Sequence, residues 1–200
     1  MPAKEGEYIT FTGAVDNTLK IESLDSSGAV LLNVNTNKET NQQIATVFIP
    51  EDKKHKFVDK VEKYINSVDD IKPKNQDLIE KIDSVEISTV EYLWSSPIEF
   101  IPKESAIWCE IWLATEGEAI EPITQHLREV CTLFEIEFLD SVLEFPQRTI
   151  FIIKANYIQL NELILSFGWI AEIRKTEELN SFWINQRILE NNQWVEEALR

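Results

Sequence analysis

Residues 106–174 carry an order of apolar patterns that few folds can accommodate. Strands are predicted over 106–113, 136–143, 148–155 and 169–174 from short runs of apolar and β-branched residues. Two stretches with helical spacing lie between these strands. Their apolar stripes are Ile120, Ile123, Leu127, Val130, Cys131 and Phe134 in the first, and Ile158, Leu160, Leu163, Ile164 and Phe167 in the second. The order β-α-β-β-α-β predicts a ferredoxin-like unit, in which two helices cover one face of a four-stranded antiparallel sheet.

The first half of the chain predicts a second unit of the same kind. Strands are predicted over 8–12, 28–35, 42–49 and 85–89, and the polar stretch 36–41 predicts a hairpin connection. The stretch from 19 to 24 fits a strand or a single helical turn equally well. The first helix of this unit is therefore weaker in the sequence than its counterpart in residues 106–174.

Helical spacing in the first half follows Pro50, which is suited to the first turn of a helix. The apolar residues Phe57, Val61, Tyr64 and Ile65 fall at i, i+4, i+7 and i+8, on one face of a helix. A second helical piece is predicted from Leu78, Ile79 and Ile82, after an insertion near Pro73.

Two local similarities indicate that the halves arose by duplication. Thr46-Val-Phe-Ile49 is similar to Thr149-Ile-Phe-Ile152, each in the third predicted strand of its unit. Residues 85–95 and 171–181 share five identities in eleven positions. The sequence therefore predicts an α+β protein made of tandem ferredoxin-like units, two-layer sandwiches with antiparallel sheets.

The domain boundaries follow from these patterns. Unit 1 is expected at 1–96 and unit 2 at 104–175, with a linker at 97–103 that contains Pro97 and Pro102. Residues 176–200 are predicted to form a C-terminal helical tail.

The net charge of −16 narrows the classes of partner. A uniformly acidic surface repels phosphate backbones and anionic lipid headgroups, so neither nucleic acid nor membrane is expected as a partner. The sequence begins without a basic, apolar secretory signal, and it contains no apolar run of membrane-spanning length. Cys109 and Cys131 lie in apolar patterns, as free thiols do. These features favour a cytoplasmic protein.

Residues with catalytic spacing are not evident. His55 and His126 lie in different predicted units, and neither has a Cys or a second His three or four positions away, so we predict no metal site. We also find no serine in a glycine-flanked turn and no glycine-rich phosphate loop. We therefore predict no catalytic residues, no cofactor and no enzymatic activity for this chain.

Trp108, Glu110 and Trp112 stand out, because they alternate with the apolar residues of the strand predicted over 106–113. Tryptophans on the uncovered face of a two-layer unit would form a contact surface. Two other interpretations stay open: this face packs against the first unit, or the covered and uncovered faces are exchanged. Contact residues are also expected in the tail, at Trp183, Trp194 and Val195.

Several stretches along the chain form recognisable structural motifs. They are Ala45-Thr-Val-Phe-Ile-Pro50, Asn75-Gln-Asp-Leu-Ile79, Val85-Glu-Ile-Ser-Thr89 with Leu93-Trp94, Ile107-Trp-Cys-Glu-Ile-Trp-Leu113, Phe145-Pro-Gln-Arg-Thr149 and Ile170-Ala-Glu-Ile-Arg174. Together these stretches resemble the N-terminal, non-catalytic region of bacterial subtilisin-like serine proteases from antiphage systems that are paired with an AAA ATPase. The resemblance covers nearly the whole chain.

The resemblance implies a propeptide-like or regulatory module that restrains, chaperones or positions a subtilisin-like catalytic domain, in cis or in trans. The chain would then regulate an endopeptidase and would not itself be an endopeptidase. The chain would be either the N-terminal part of such a protease or a standalone relative. Alternatively, it recruits a partner such as the AAA ATPase without inhibiting the protease. A third class, a small-molecule sensor with a cleft between the two units, would show a ligand-induced rise in melting temperature.

Overall fold

Two four-stranded antiparallel sheets build the molecule, one in each half of the chain. The structure is a computed structural model, and the residues it describes are 5–16, 18–19, 28–37, 39–66 and 80–176. When strands are counted along each half of the chain, both sheets have the second strand at one edge, followed by the third, the first and the fourth. Within each unit this is the order 2-3-1-4 of a ferredoxin-like fold, so the predicted tandem α+β architecture is confirmed.

The second unit follows the predicted order of elements. Its strands are β5 (Ile107–Ala114), β6 (Glu137–Glu144), β7 (Arg148–Ala155) and β8 (Ile170–Lys175), and its helices are α3 (Ile120–Leu133) and α4 (Tyr157–Ser166). A capping box begins α4: the Asn156 side chain accepts from the Gln159 amide, and the Gln159 side chain accepts from the Asn156 amide.

The first unit has strands β1 (Gly6–Gly13), β2 (Val30–Thr36), β3 (Gln43–Pro50) and β4 (Ile82–Ile87), with helix α1 (Lys54–Ile65) between β3 and β4. Pro50 ends β3 and precedes a 3-10 turn, Glu51–Lys53, that leads into α1. Helix α1 confirms the helix predicted from the spacing that starts at Phe57. A short helix α2 (Val90–Leu93) and a 3-10 turn (Ile98–Phe100) connect the units.

The core of the second unit lies between its helices and one face of its sheet. Cys109, Ile111 and Leu113 of β5 are fully buried on this face. They belong to the same buried cluster as residues of α3 and α4, which include Ile123, Leu127, Val130, Cys131, Leu160, Leu163 and Ile164. The first unit has a separate cluster that includes Phe11, Ala45, Val47 and Ile49.

The two units meet through the face of the first sheet that is opposite to Phe11 and Ala45. We call it the junction face and define it by Tyr8, Leu32 and Phe48. These three residues belong to the core cluster of the second unit. The Tyr8 hydroxyl donates to the Phe167 carbonyl at 2.6 Å and accepts from the Ile170 amide at 2.8 Å. The junction face of the first unit therefore belongs to the core of the second unit.

The connecting segment extends this junction along the outer edge of β8. The Ser95 amide donates to the Ile173 carbonyl at 2.9 Å, and the Lys175 amide donates to Ser96 Oγ at 3.0 Å. Farther along, Ile101 is buried, and the Tyr157 amide donates to the Pro102 carbonyl at 2.7 Å. The residues on either side of Pro97 are thus fixed to the second unit.

Two local predictions are wrong. Ile82 begins β4 rather than lying in a helix, because it pairs with Gly13 of β1 and packs against the cluster of the first unit. Ile158 lies in α4 as predicted, but it is 69% exposed rather than on the core side. The buried positions Leu160 and Leu163 follow it by two and five residues, which places Ile158 on the other side of a 3.6-residue helix.

Several predictions concern residues outside the described part of the chain. They are the structure of residues 20–24, the helical piece at Leu78 and Ile79, the insertion near Pro73 and the helical tail after Thr176. In the part that is described, no helix combines the length and the apolar character that a membrane crossing requires.

Candidate interaction surface

The second sheet has an uncovered face whose centre is the outward row of β5. Trp108, Glu110 and Trp112 alternate with the buried residues Cys109, Ile111 and Leu113, and each of the three is partly exposed. This alternation follows from the pleat of a strand, which directs successive side chains to opposite faces. The helices cover the other face, so Trp108, Glu110 and Trp112 are directed away from them.

Cross-strand neighbours extend this row across the sheet. Lys154, Ile152 and Ile150 of β7 lie opposite Trp108, Glu110 and Trp112 respectively. Directly opposed residues of antiparallel strands share a face. The same rule adds Leu139 and Leu143 from β6, and Glu172 and Arg174 from β8. We call this set of residues, together with Phe145, the Trp face.

Cations lie over both tryptophan rings. The Arg174 guanidinium is 4.1 Å from the centroid of the Trp112 ring, and Lys154 Nζ is 5.7 Å from that of Trp108. A cation over an aromatic ring is attracted by the negative face of the ring. These contacts order the two tryptophans on the surface of the sheet.

Carboxylates neutralise the same cations. Arg174 Nε donates to Glu172 Oε1 at 2.6 Å, a hydrogen bond that raises the pKa of Arg174. Lys154 forms an ion pair with Glu137 at 3.4 Å, and Trp112 Nε1 donates to Glu110 Oε2 at 3.1 Å. The polar groups of the Trp face therefore pair with each other.

One end of the Trp face is both aromatic and exposed. The ring of Phe145 stacks on that of Trp112, with centroids 6.4 Å apart and planes 4° apart. Phe145 is 54% exposed and Leu143 is 52% exposed. A depression of about 370 Å³ lies beside them, lined by Trp112, Phe145, Pro146, Gln147 and Arg148. Adjacent exposed apolar side chains of this kind are typical of contact surfaces.

The first unit borders the Trp face at one corner. There, Arg148 donates from Nη2 to the carbonyl of Leu32 at 3.1 Å. The principal packing between the units lies elsewhere, where Tyr8 meets Phe167 and Ile170. The sequence left open whether the tryptophans pack against the first unit and whether the covered and uncovered faces are exchanged. In the structure the tryptophans lie on the sheet face away from the helices, and the junction with the first unit lies at the start of β8.

The other predicted contact residues lie outside the described residues. Trp183, Trp194 and Val195 fall beyond Thr176, where the described part of the chain ends. The structure therefore brings together Trp108, Glu110 and Trp112, and it leaves the predicted contribution of the tail as a prediction.

Arg174 and Phe145 are residues of this surface that the sequence analysis missed as contact residues. Arg174 could have been placed on it from the alternation of β8, since Glu172 and Arg174 are separated by one residue. Phe145 lies beyond the end of β6, and its contact with Trp112 depends on the turn before Arg148. No local sequence pattern predicts the contact between Phe145 and Trp112.

The two thiols and His126 lie away from the Trp face. Cys109 and Cys131 are buried in the core, and burial raises the pKa of each thiol to about 12. His126 packs its ring against Phe167, with centroids 5.4 Å apart. Over the described ranges, no group of three or more His, Cys, Asp or Glu residues is arranged to hold a metal ion.

Comparisons with known proteins give only distant similarities. No family model and no curated protein sequence matches the chain. One similar solved structure is the small subunit of acetolactate synthase from Thermotoga maritima, at 12% identity, 86% coverage of this chain, 93% of that chain and a TM-score of 0.27. Another is the regulatory subunit of aspartate kinase from Thermus thermophilus in its ligand-free form, at 10% identity, 82% and 93% coverage and a TM-score of 0.30.

A third similar structure is an unknown protein from Galdieria sulphuraria, at 12% identity, 96% coverage of this chain, 92% of that chain and a TM-score of 0.28. Similarities at these TM-scores carry no functional argument. The assignment to the ferredoxin-like fold depends on the strand order and register of the two sheets.

Proposed function

We propose that this chain is a non-catalytic, propeptide-like regulatory module of a subtilisin-like serine protease in an antiphage defence system. It binds the protease domain through the Trp face and restrains, chaperones or positions it. The module acts in cis when it is joined to the catalytic domain and in trans when it is separate.

The observation that supports this function most is the composition of the Trp face. Tryptophans 108 and 112 lie on a sheet face that the helices leave uncovered, beside Phe145 and Leu143, which are more than half exposed. Aromatic residues dominate the energetic centres of protein interfaces. Since Glu110 already accepts from Trp112, the centre of the face has few polar groups that a partner would leave unpaired.

The charge of the molecule is consistent with a protein partner. With a net charge of −16, the chain repels nucleic acids and anionic membranes over most of its surface. On the Trp face, by contrast, Lys154 and Arg174 offset two of the three carboxylates, which belong to Glu110, Glu137 and Glu172. An aromatic surface with little net charge on an acidic molecule favours an apolar protein contact at that place.

A titration of the full chain into a separately expressed subtilisin-like catalytic domain tests this function, with peptide hydrolysis followed throughout. We expect hydrolysis to fall with saturation. The Trp112→Ala variant should raise the half-inhibitory concentration by about tenfold or more, as truncation of a central aromatic anchor does. The matched control is Leu133→Ala, since Leu133 is 71% exposed on α3, in the helical layer.

Two other outcomes have distinct meanings. Binding without loss of hydrolysis would reject the inhibitory role and favour recruitment of a partner such as the AAA ATPase. Equal inhibition by the wild type and Trp112→Ala would reject the Trp face as the binding surface.

A further inference from the structure

Arg148 differs from the other arginines of the described residues because it has no carboxylate partner there. Arg128 and Arg174 each form an ion pair. The Arg148 guanidinium instead donates to two backbone carbonyl groups, that of Gln147 at 3.2 Å and that of Leu32 at 3.1 Å. A guanidinium carries five N–H donors and a permanent charge. Arg148 therefore keeps donors and a positive charge for a further acceptor.

A tight turn holds this guanidinium beside the aromatic end of the Trp face. The Phe145 amide donates to the Arg148 carbonyl at 2.8 Å, and the Arg148 amide donates to the Phe145 carbonyl at 3.4 Å. Residues that exchange both hydrogen bonds lie opposite each other in an antiparallel ladder, so their side chains share a sheet face. Phe145 in turn stacks on Trp112. A cation and an aromatic surface are therefore adjacent.

The depression of about 370 Å³ lies between these groups. Its lining consists of three apolar side chains, one neutral amide and one cation, which belong to Trp112, Phe145, Pro146, Gln147 and Arg148. This volume is at the lower end of the range for small-ligand sites. The planar fork of a guanidinium matches the two oxygens of a carboxylate. The depression therefore fits one apolar group that carries a carboxylate.

The charge of the lining distinguishes a free amino acid from the end of a peptide. None of the described residues that line the depression is acidic. The ammonium of a free amino acid would therefore lie near the Arg148 cation without a carboxylate to neutralise it. At the C-terminus of a peptide, an amide N–H takes the place of the ammonium, and the side-chain amide of Gln147 offers an acceptor. A peptide end supplies the carboxylate without a second positive charge.

We propose that this depression binds the C-terminal residue of a peptide that ends in an aromatic or large aliphatic side chain. The terminal carboxylate pairs with Arg148, and the side chain packs on Trp112 and Phe145. This contact goes beyond the proposed function and does not depend on it, because the ligand is a free peptide rather than a protease domain.

A titration of the full chain with the acetylated tripeptide Gly-Gly-Phe, followed by backbone amide chemical shifts, tests the proposal. Acetylation removes the ammonium, so the terminal carboxylate is the only charge of this peptide. We expect saturable shifts at Gln147 and Arg148. The same peptide with a C-terminal amide should bind about tenfold more weakly or worse, because the charge-assisted hydrogen bonds are lost. Free phenylalanine should also bind more weakly, because it carries the ammonium.

A matched pair of variants assigns the carboxylate contact to one arginine. Arg148→Gln removes the cation of the depression, whereas Arg128→Gln removes the same charge from α3. We expect Arg148→Gln to weaken binding of the tripeptide about tenfold and Arg128→Gln to leave it unchanged. Circular dichroism checks that both variants are folded. If Arg148→Gln does not fold, the comparison of the tripeptide with its amide still decides, because it uses the unaltered chain.

Equal affinity for the tripeptide and its amide would overturn the proposal, and so would the absence of saturable binding at millimolar concentrations. Free phenylalanine that binds as tightly as the tripeptide would overturn the choice of a peptide end. Because no protease is present, these results are separate from the inhibition titration. Loss of inhibition with retained peptide binding would reject the proposed function alone.

Discussion

The two sheets share a strand order, yet their aromatic faces have different environments. On the junction face, Tyr8 and Phe48 are 5% and 1% exposed, and Tyr8 bonds to two backbone groups of the second unit. On the Trp face, Trp108 and Trp112 are only partly buried, and their polar partners are other side chains of the same face. The junction face is therefore part of the core, whereas the Trp face is available for a partner.

The difference teaches that aromatic residues on a sheet face do not by themselves indicate function. Tyr8 lies on the face of its sheet opposite Phe11, and Trp112 lies on the face of its sheet opposite Leu113. What separates the two residues is whether the other unit packs above them. Substitutions on the junction face should therefore change the free energy of unfolding, while those on the Trp face should change binding.

Phe48→Ala should have the largest effect. Phe48 packs edge-on against Tyr8, with ring centroids 5.2 Å apart. Truncation leaves a cavity at the junction and should lower the free energy of unfolding by about 3–5 kcal/mol. Denaturant unfolding followed by circular dichroism measures the change. A loss below about 1 kcal/mol, typical of surface positions, would place Phe48 outside the core.

Tyr8→Phe isolates the hydroxyl of the junction face. The Phe167 carbonyl and the Ile170 amide both lose their partner, so we expect a loss of about 1–3 kcal/mol in the free energy of unfolding. The same denaturation experiment gives this value. Unchanged stability would mean that water replaces the hydroxyl and that the junction opens readily.

The same hydroxyl gives a dependence on pH. Burial raises the pKa of Tyr8 above its ordinary value. In the unfolded chain, Tyr8 releases its proton near pH 10, while in the folded chain it keeps the proton, so stability falls as pH rises above about 10. Denaturation from pH 8 to pH 11 should therefore show a smaller decline for Tyr8→Phe than for the wild type. Equal slopes would contradict a buried, protonated Tyr8.

Trp112→Ala should have a small effect on stability, about 1 kcal/mol or less, because Trp112 is only partly buried. Its effect on binding should be much larger. Thermal unfolding of Trp112→Ala beside Phe48→Ala measures the contrast. A loss comparable to that of Phe48→Ala would show that the Trp face is a second structural core.

The smallest effect is expected for the native thiols, which should not react with a labelling reagent while the protein is folded. With a pKa of about 12, Cys109 and Cys131 are almost entirely protonated at pH 8 as well as shielded by the core. Labelling of the folded wild type should therefore begin only when denaturant unfolds it. Rapid labelling of the native protein would mean that the layer of α3 and α4 opens easily.

Much of the fold could be predicted from the sequence because the second unit is locally consistent. The strand predicted over 148–155 coincides with β7. The stripe of α3 that includes Leu127 and Val130 faces the core of the second unit. The error at Ile82 has a tertiary cause. Pairing with β1 decides its conformation, and such a partner cannot be found in local spacing.

The candidate site was only partly predictable for the same reason. Alternation along β5 was enough to place Trp108, Glu110 and Trp112 on one face. The contact of Phe145 with Trp112 and the approach of Arg148 to Leu32 depend on a turn and on the position of the other unit. Sequence spacing contains neither piece of information.

The most direct test of the division between the two faces is calorimetric titration of the subtilisin-like catalytic domain with Tyr8→Phe and Trp112→Ala side by side. We expect Tyr8→Phe to bind with the wild-type affinity while it remains folded, and Trp112→Ala to bind about tenfold more weakly or worse. The opposite order, with Tyr8→Phe impaired and Trp112→Ala unchanged, would contradict the assignment of the Trp face as the surface that meets the partner.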